Sequence, residues 1–176
     1  MCLADAGIVR VTYFPGAVPE DEPSYAVSPG YSAPGAEIRE YDEDGVHVVE
    51  TSLLRIRIRT EEQKVDFYDV ATDEPLLTDE GGFGRESKDW TGDARVWIRK
   101  NLQETEHFFG LGDKPCALNL RGKYFSMWGA DHYDFHEESD PLYKSIPFFL
   151  SLRERKAYGL LFDNTCRSYF DFGATD

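Results

Sequence analysis

Cysteine is scarce in this sequence, and the three cysteines are far apart. Cys2, Cys116 and Cys166 form no C-x-x-C pair, so neither a zinc site nor a thioredoxin-like redox centre is expected. The odd number excludes complete pairing within the chain and leaves at most one disulfide. The sequence does not decide whether that one disulfide forms.

Long apolar runs and an excess of positive charge are absent as well. No apolar run approaches the roughly 18 residues that a membrane-spanning helix needs, so no membrane span is expected. The 33 acidic residues outnumber the 19 basic ones, which gives a formal net charge of -14. Nucleic acid and anionic membranes would repel such a chain, whereas a neutral ligand such as a sugar would not.

Helical periodicity is also missing, whereas alternation with a period of two is frequent. Apolar residues alternate with arginines over Leu54–Arg59, which predicts a strand with one buried and one wet face. Turn signals such as Asp44-Gly45, Gly81-Gly82 and Arg121-Gly122 separate the strand candidates. Many short strands with frequent turns predict an all-β sandwich or barrel, with residues 1–176 as a single domain. The other predicted strands are Ile8–Tyr13, Val46–Glu50, Val65–Val70, Ala94–Arg99, Glu106–Phe109, Lys123–Met127, Pro147–Arg153, Tyr158–Phe162 and Ser168–Phe172.

Aromatic and acidic residues are concentrated between Trp128 and Asp140, in a stretch without periodicity that we interpret as a loop. Carbohydrate sites combine these two residue types. Aromatic rings stack on the apolar faces of sugars, while carboxylates accept hydrogen bonds from pairs of hydroxyls. The alternative is an acidic surface loop held in place by its aromatics, since most loops are solvated.

A metal site is a second alternative for the same stretch. His132 and His136 are four residues apart, and the acids Asp131, Asp134, Glu137 and Asp140 are close in sequence. Four-residue spacing brings two ligands to one ion in a helix, but this segment has poor helical character. The spacing of an EF-hand loop is absent too. We therefore expect no metal, and nothing else in the sequence indicates a cofactor.

The segment Phe108–Asp113 contains two glycines one residue apart. It lacks the third glycine and the following helix of a phosphate-binding loop, so a structural turn is the better interpretation. The segments around Pro147 and Tyr158 are interpreted as core strands of the sandwich.

Four motifs together resemble the amino-terminal domain of glycoside hydrolase family 31. Any one of them is weak, but their order and spacing both fit the family. The close match covers about residues 94–173, and the earlier part fits more loosely. The motifs are Phe109-Gly-Leu-Gly-Asp113, Arg121-Gly-Lys-Tyr-Phe-Ser-Met-Trp-Gly-Ala-Asp131, Asp140-Pro-Leu-Tyr-Lys-Ser-Ile-Pro-Phe148 and Tyr158-Gly-Leu-Leu-Phe-Asp-Asn164.

The resemblance implies a galactose-mutarotase-like β-sandwich that packs against a (β/α)₈ barrel in a longer enzyme. Family members are mostly retaining, exo-acting α-glycosidases whose two catalytic aspartates lie at the ends of barrel strands. The family's nucleophile motif does not occur here, so no residue of this chain is expected to be catalytic. By itself the chain is expected to be inactive.

The resemblance also suggests which residues contact substrate. In the family, a loop of the sandwich reaches over the mouth of the barrel, and an aspartate on it touches the sugar. Asp131 is at that position, and Trp128 and His132 are neighbours with a weaker claim. The expected ligand is an α-linked oligosaccharide, and the expected protein partner is the catalytic barrel of the parent chain.

The resemblance further implies that more strands follow in the family domain, so this chain is expected to be truncated relative to it. A sandwich that lacks strands has an unpaired edge, so we expect some self-association or disordered ends.

Several functional interpretations remain open on the sequence alone. The parent could be an α-glucosidase, an α-xylosidase or an α-glucosyltransferase of the same family. The chain could instead be a stand-alone carbohydrate-binding module, or a sandwich that mediates protein contacts.

Overall fold

The computed structural model describes residues 2–14, 24, 26–28, 30–31, 34–87 and 94–175. These residues form fourteen β-strands and no helix, which confirms the all-β prediction. Consequently, this part of the chain contains no helix that could cross a membrane. The strands are β1 (Cys2–Asp5), β2 (Ile8–Arg10), β3 (Arg39–Glu43), β4 (Val46–Glu50), β5 (Leu54–Arg59), β6 (Lys64–Asp69), β7 (Pro75–Leu77), β8 (Asp79–Ser87), β9 (Ala94–Lys100), β10 (His107–Gly110), β11 (Tyr124–Met127), β12 (Phe148–Arg153), β13 (Lys156–Leu161) and β14 (Ser168–Asp171).

The chain divides into two compact units, which are described separately. Unit 1 comprises Met1–Asp21 and Gly30–Asn101, and unit 2 comprises Glu22–Pro29 and Leu102–Asp176. The assignment of residues 1–176 to one domain stays a prediction.

In unit 1, strands β3 to β7 form one antiparallel sheet in sequence order, while β1–β2 and β8–β9 are two-stranded. Hairpins build the larger sheet, and the turn at Asp44-Gly45 joins β3 to β4 as predicted, with positive φ at both residues. Glycine suits that conformation because it has no Cβ. Val48, Val49, Ile56 and Leu77 are buried, and this sheet is the scaffold of the unit.

In strand β5 the central apolar residue is buried as predicted, but the arginine face is less exposed to solvent than the alternation predicts. Ile56 is fully buried, whereas the arginine side chains of the strand are only about one-quarter to one-third exposed. The reason is pairing with carboxylates. Arg55 Nε lies 2.6 Å from Glu50 Oε1, and Arg59 donates to the buried Asp66. The arginine stems therefore cover the sheet while their charged heads are neutralised.

One predicted turn is wrong. Gly81-Gly82 lies inside strand β8, where the register with β9 shifts between Asp79 and Gly82. Glycine pairs often mark turns, but here the left-handed φ of Gly82 permits a β-bulge. A Cβ at Gly82 would come within 2.4 Å of the Glu62 carbonyl oxygen, so the close backbone approach also requires glycine.

Unit 2 contains two small antiparallel sheets that face one another. One has the order β10-β12-β13, and the other pairs β11 with β14. The ring of Phe108 stacks on Phe172 with centroids 4.7 Å apart, and Phe149 packs edge-on against Phe170 and Phe172. These rings belong to a buried core that also includes Leu111, Leu120, Phe125 and Met127. Within this unit, the packing of one sheet face on another is the sandwich arrangement that the alternation predicts.

The segment Phe109–Asp113 forms a tight turn at the end of β10. Gly110, Leu111 and Gly112 all have positive φ, and Leu111 is fully buried. A Cβ at Gly110 would come within 2.6 Å of the Phe148 carbonyl oxygen. The turn thus packs its backbone against Phe148, the first residue of β12. This agrees with the interpretation of the segment as a structural turn rather than a phosphate loop.

Candidate functional site

The aromatic and acidic stretch lies directly after β11 and has no regular secondary structure. We call residues 128–140 the acidic loop. Most of its side chains are exposed, and the ring of Tyr133 is fully exposed. The loop nevertheless has a defined path because its backbone is bonded to neighbouring segments.

An ion pair fixes both ends of the acidic loop. Lys114 Nζ bonds the carboxylate of Asp140, the last loop residue, and also donates to the Ser126 carbonyl oxygen at 3.0 Å. The other Asp140 oxygen accepts from the Ser126 backbone N–H. The Lys114 side chain is 2% exposed, so this pair is largely shielded from water. The strand that precedes the loop and the residue that ends it are thereby held together.

Contacts along its length hold the rest of the loop. The Ala130 N–H donates to the Leu142 carbonyl at 3.0 Å, and the Glu138 N–H donates to the Pro115 carbonyl at 2.8 Å. The Tyr143 hydroxyl donates to the His132 carbonyl oxygen. The loop is therefore supported by β11 at one end and by residues 142–143 along its side.

The three predicted site residues occupy this loop but differ in their environments. Asp131 is exposed, and its carboxylate has no hydrogen bond or ion pair within the described part of the chain. His132 is half-buried, and its contact to Tyr143 uses the backbone rather than the ring. Trp128 is 44% exposed, and the Arg167 guanidinium carbon lies 4.9 Å from its ring centroid. Asp131 is thus the member of the three with an uncommitted charged group.

A hollow of about 310 Å³ lies beside Trp128. It is located at one end of the core of unit 2, where Met127 and Ser168 face each other across the β11–β14 pair. The side chains of Pro147 and Thr165 also line it. Trp128 therefore connects the acidic loop to a concave surface.

The described residues do not supply the ligands that the metal interpretation of this loop requires. Among the residues described, no three His, Cys, Asp or Glu side chains are placed to hold one ion. His136 Nδ1 lies 2.7 Å from the Glu137 carbonyl oxygen, so this ring nitrogen is engaged locally.

Sequence reasoning missed Lys114, Tyr143 and Arg167, which hold the loop and its tryptophan. Lys114 and Asp140 are 26 positions apart, and Lys114 lies outside the four motifs, so no local pattern pairs them. Arg167 lies in the segment between β13 and β14, and only the folded chain brings it over Trp128.

These features define an all-β domain with an anchored, exposed loop whose side chains are of the kinds that contact sugars. The chain belongs to the family described as the glycosyl hydrolase 31 N-terminal galactose mutarotase-like domain, whose model matches residues 2–171. This confirms the family that the four motifs indicated.

Two comparisons show what the chain is similar to. It is 41% identical over 95 residues to α-glucosidase 2 of Bacillus thermoamyloliquefaciens, a match that covers 53% of this chain and 12% of that protein. It is 33% identical to a family 31 dextranase of Flavobacterium johnsoniae, solved in complex with isomaltotriose, with a TM-score of 0.72. That match covers 87% of this chain and 18% of the dextranase.

A third comparison bears on the fold alone. The α-xylosidase of Xanthomonas citri has a TM-score of 0.64 but only 20% identity, over 84% of this chain and 15% of that one. In each of these comparisons, the match spans less than a fifth of the relative's length.

Proposed function

We propose that residues 1–176 are the non-catalytic amino-terminal domain of a retaining, exo-acting α-glucosidase. In this proposal the reactive carboxylates belong to a (β/α)₈ barrel elsewhere in the parent chain, and this domain alone is inactive. Barrel enzymes carry their active sites at the mouth of the barrel, where a neighbouring domain can reach them. The small share of each relative that this chain matches supports a larger parent.

The domain contributes the acidic loop to the sugar site of that barrel. Asp131 accepts hydrogen bonds from hydroxyls of the leaving-side sugar, while Trp128 and His132 supply adjacent contacts. The observation that carries this proposal is the exposed carboxylate of Asp131 on a loop whose two ends are held together by a partly buried ion pair. The Asp131 carboxylate has no hydrogen bond to give up among the described residues, and its backbone is already ordered. Binding of a ligand therefore costs little conformational entropy.

Glucose is the favoured sugar because a curated relative 41% identical over the matched region is an α-glucosidase. The α-xylosidase is similar only at the level of fold. An α-glucosyltransferase would use the same loop, and the residues that decide between hydrolysis and transfer would lie in the barrel.

Replacement of Asp131 in the parent enzyme tests the proposal. Asp131→Ala removes a charged hydrogen-bond acceptor, which costs about 1.5–3 kcal/mol in kcat/KM for maltose. Asp134→Ala in the same loop is the matched control, because Asp134 is also exposed. Equal kcat/KM values for the wild type and the Asp131 variant would remove the assignment.

The stand-alone binding module makes a different prediction. Such a module would bind maltose through the acidic loop without a barrel, so Asp131→Ala would weaken binding by the 176-residue chain itself. Under our proposal Asp131 acts only next to the barrel, and this substitution leaves any binding by the isolated chain unchanged. If the chain only mediated protein contacts, neither measurement would respond.

A further inference from the structure

The residues on either side of Asp131 are both bonded to the segment that follows the acidic loop. The Ala130 N–H donates to the Leu142 carbonyl oxygen at 3.0 Å, and the His132 carbonyl oxygen accepts a hydrogen bond from the Tyr143 hydroxyl. Asp131 is therefore the middle residue of a three-residue stretch that is held at both ends. Because the direction of a side chain depends on the backbone dihedrals of its own residue, these two bonds restrict where the Asp131 carboxylate points.

The two bonds differ in what they need from the sequence. The bond from Ala130 to Leu142 joins two backbone groups, so it does not depend on a particular side chain. The bond to His132 depends on one hydroxyl, which a phenylalanine at position 143 would lack. Tyr143 is therefore the side chain through which the sequence sets the geometry at Asp131.

The Tyr143 side chain has a rigid base. The preceding residue, Leu142, is 3% exposed, and Asp140 is held by the ion pair with Lys114. The Tyr143 ring also meets the ring of Phe135 edge-on, with centroids 6.4 Å apart. A donor that is supported in this way can hold a neighbouring backbone group in turn.

The contact leaves free the groups that would meet a ligand. It uses the backbone carbonyl of His132, so it occupies neither the His132 ring nor the Asp131 carboxylate. Tyr143 is 48% exposed and is not a member of the buried core of unit 2, so loss of its hydroxyl should leave that core intact. An effect on Asp131 can therefore be separated from an effect on folding.

We propose that Tyr143 is a positioning residue, which directs the Asp131 carboxylate towards the sugar by holding the His132 carbonyl. It acts on the substrate only through Asp131 and takes part in no bond-breaking step. This role rests on the proposed function, in which Asp131 contacts the leaving-side sugar. It adds a residue that touches no sugar and still sets the activity on a disaccharide.

Two substrates that differ in the leaving group test this role in the parent enzyme. Maltose has a leaving-side sugar whose hydroxyls Asp131 can bind, whereas the leaving group of p-nitrophenyl α-glucoside carries no sugar hydroxyls. Tyr143→Phe should lower kcat/KM for maltose about three- to tenfold, the size of one hydrogen bond, and leave kcat/KM for the aryl glucoside unchanged. Damage to the fold would lower both values, so the second substrate also shows whether the variant is intact.

A double-mutant cycle shows whether Tyr143 acts through Asp131. In the Asp131→Ala background, Tyr143→Phe should cause no further loss of kcat/KM for maltose, because the carboxylate that the tyrosine directs is absent. Tyr169→Phe is the matched control, since it removes a hydroxyl from a tyrosine of similar exposure outside the acidic loop. It should have no effect in either background.

The structural part of the proposal can be followed in the 176-residue chain itself. Backbone ¹⁵N relaxation should give lower order parameters at Asp131 and His132 in Tyr143→Phe than in the wild type. The Glu138 N–H bonds to the Pro115 carbonyl oxygen instead, so Glu138 should keep its wild-type order parameter in the same variant.

An equal loss on both substrates, or an undiminished effect of Tyr143→Phe in the Asp131→Ala background, would overturn the proposal. Unchanged order parameters at Asp131 and His132 would do the same. The result for Asp131→Ala alone separates this proposal from the proposed function. If that variant loses activity on maltose and Tyr143→Phe does not, only the role of Tyr143 is wrong. If neither variant loses activity, the proposed function is wrong as well.

Discussion

Glu106 places a carboxylate in the interior of unit 2, at 2% exposure. Its side chain accepts hydrogen bonds from the Ser151 and Tyr158 hydroxyls and from the Gln103 N–H. Arg121 donates to the Gln103 and Glu106 backbone carbonyls, which brings a positive charge to the same region. The acid thereby links the segment before β10 to β12 and β13, and its role is structural.

Glu106 and Asp131 lie in opposite environments. Both are ordinary acidic residues in the sequence, yet one is saturated with donors and the other is exposed without a partner among the described residues. A residue that already satisfies its hydrogen bonds inside the fold is not available for a ligand. The environment, rather than the residue type, separates structural acids from candidate binding acids.

Tyr158→Phe should destabilise unit 2 by removing one donor from the buried carboxylate of Glu106. The expected loss is about 1.5–3 kcal/mol, the usual range for a hydrogen bond to a charged group. Urea unfolding measures it, and Tyr169→Phe is the control because Tyr169 is 56% exposed. Equal stabilities for the two variants would show that the Tyr158 contact contributes nothing.

The stabilisation by the Tyr158 hydrogen bond should also depend on pH. Burial raises the pKa of Tyr158 above its usual 10.0, and the hydrogen bond to Glu106 raises it further. A raised pKa in the folded state contributes stability below the unfolded pKa and loses it as the pH rises above about 10. The difference between wild type and Tyr158→Phe should therefore shrink above pH 10.

At the scale of elements, the acidic loop depends on one buried lysine. Lys114→Met leaves the Asp140 carboxylate without its counter-charge in a shielded position, which should cost about 3–5 kcal/mol. Amide hydrogen exchange at Ala130 and Glu138 should accelerate in the same variant, because both N–H groups bond the loop to neighbouring segments.

Lys144→Met is the matched control for this prediction. Lys144 lies 3.0 Å from Asp113, but its side chain is 62% exposed, so the pair is worth less than about 1 kcal/mol. If the two lysine variants lost the same stability, or if loop amides exchanged at wild-type rates in Lys114→Met, the ion pair would not be the anchor.

Strands with regular alternation could be predicted, whereas the strand that contains Gly81 and Gly82 could not. The predicted strand Val46–Glu50 matches β4 residue for residue, and Leu54–Arg59 matches β5. Strand β8 was missed because its glycines resemble a turn. One of them, Gly84, lies directly under the indole of Trp97, and a Cβ there would come within 2.2 Å of the ring. Gly84 has no Cβ and so leaves room for the Trp97 ring across the strand pair. The local sequence around Gly84 does not reveal this contact.

The candidate site was predictable in part. The composition of the acidic loop and the family motifs led to Trp128, Asp131 and His132, and the structure places all three on one loop. Their role in sugar binding stays a prediction. The Lys114–Asp140 pair, the Arg167–Trp128 contact and the hollow all join residues that are distant in sequence, so only the fold brings them together.

For the whole molecule, net charge and open strand edges have opposite effects on self-association. Strand β9 pairs only with β8 among the described strands, and Val96 and Trp97 on it are exposed. An open, apolar strand invites pairing with another chain, whereas a net charge of -14 repels a second copy.

We therefore predict self-association that depends on salt. Because ions screen the repulsion, the average mass of the chain in light scattering should rise between about 0.05 and 0.5 M NaCl at high protein concentration. Val96→Lys adds charge on the exposed strand and should suppress the rise. A monomer at every salt concentration would contradict this prediction.

In the proposed function, a strand-built domain contributes an anchored acidic loop to a sugar site whose reactive groups lie in another part of the parent chain. A crystal structure of the parent enzyme with a bound α-linked glucosyl oligosaccharide tests it most directly. The account predicts a carboxylate oxygen of Asp131 within about 3 Å of a sugar hydroxyl, with both catalytic aspartates outside residues 1–176. A bound sugar with the acidic loop turned away from it would contradict the account.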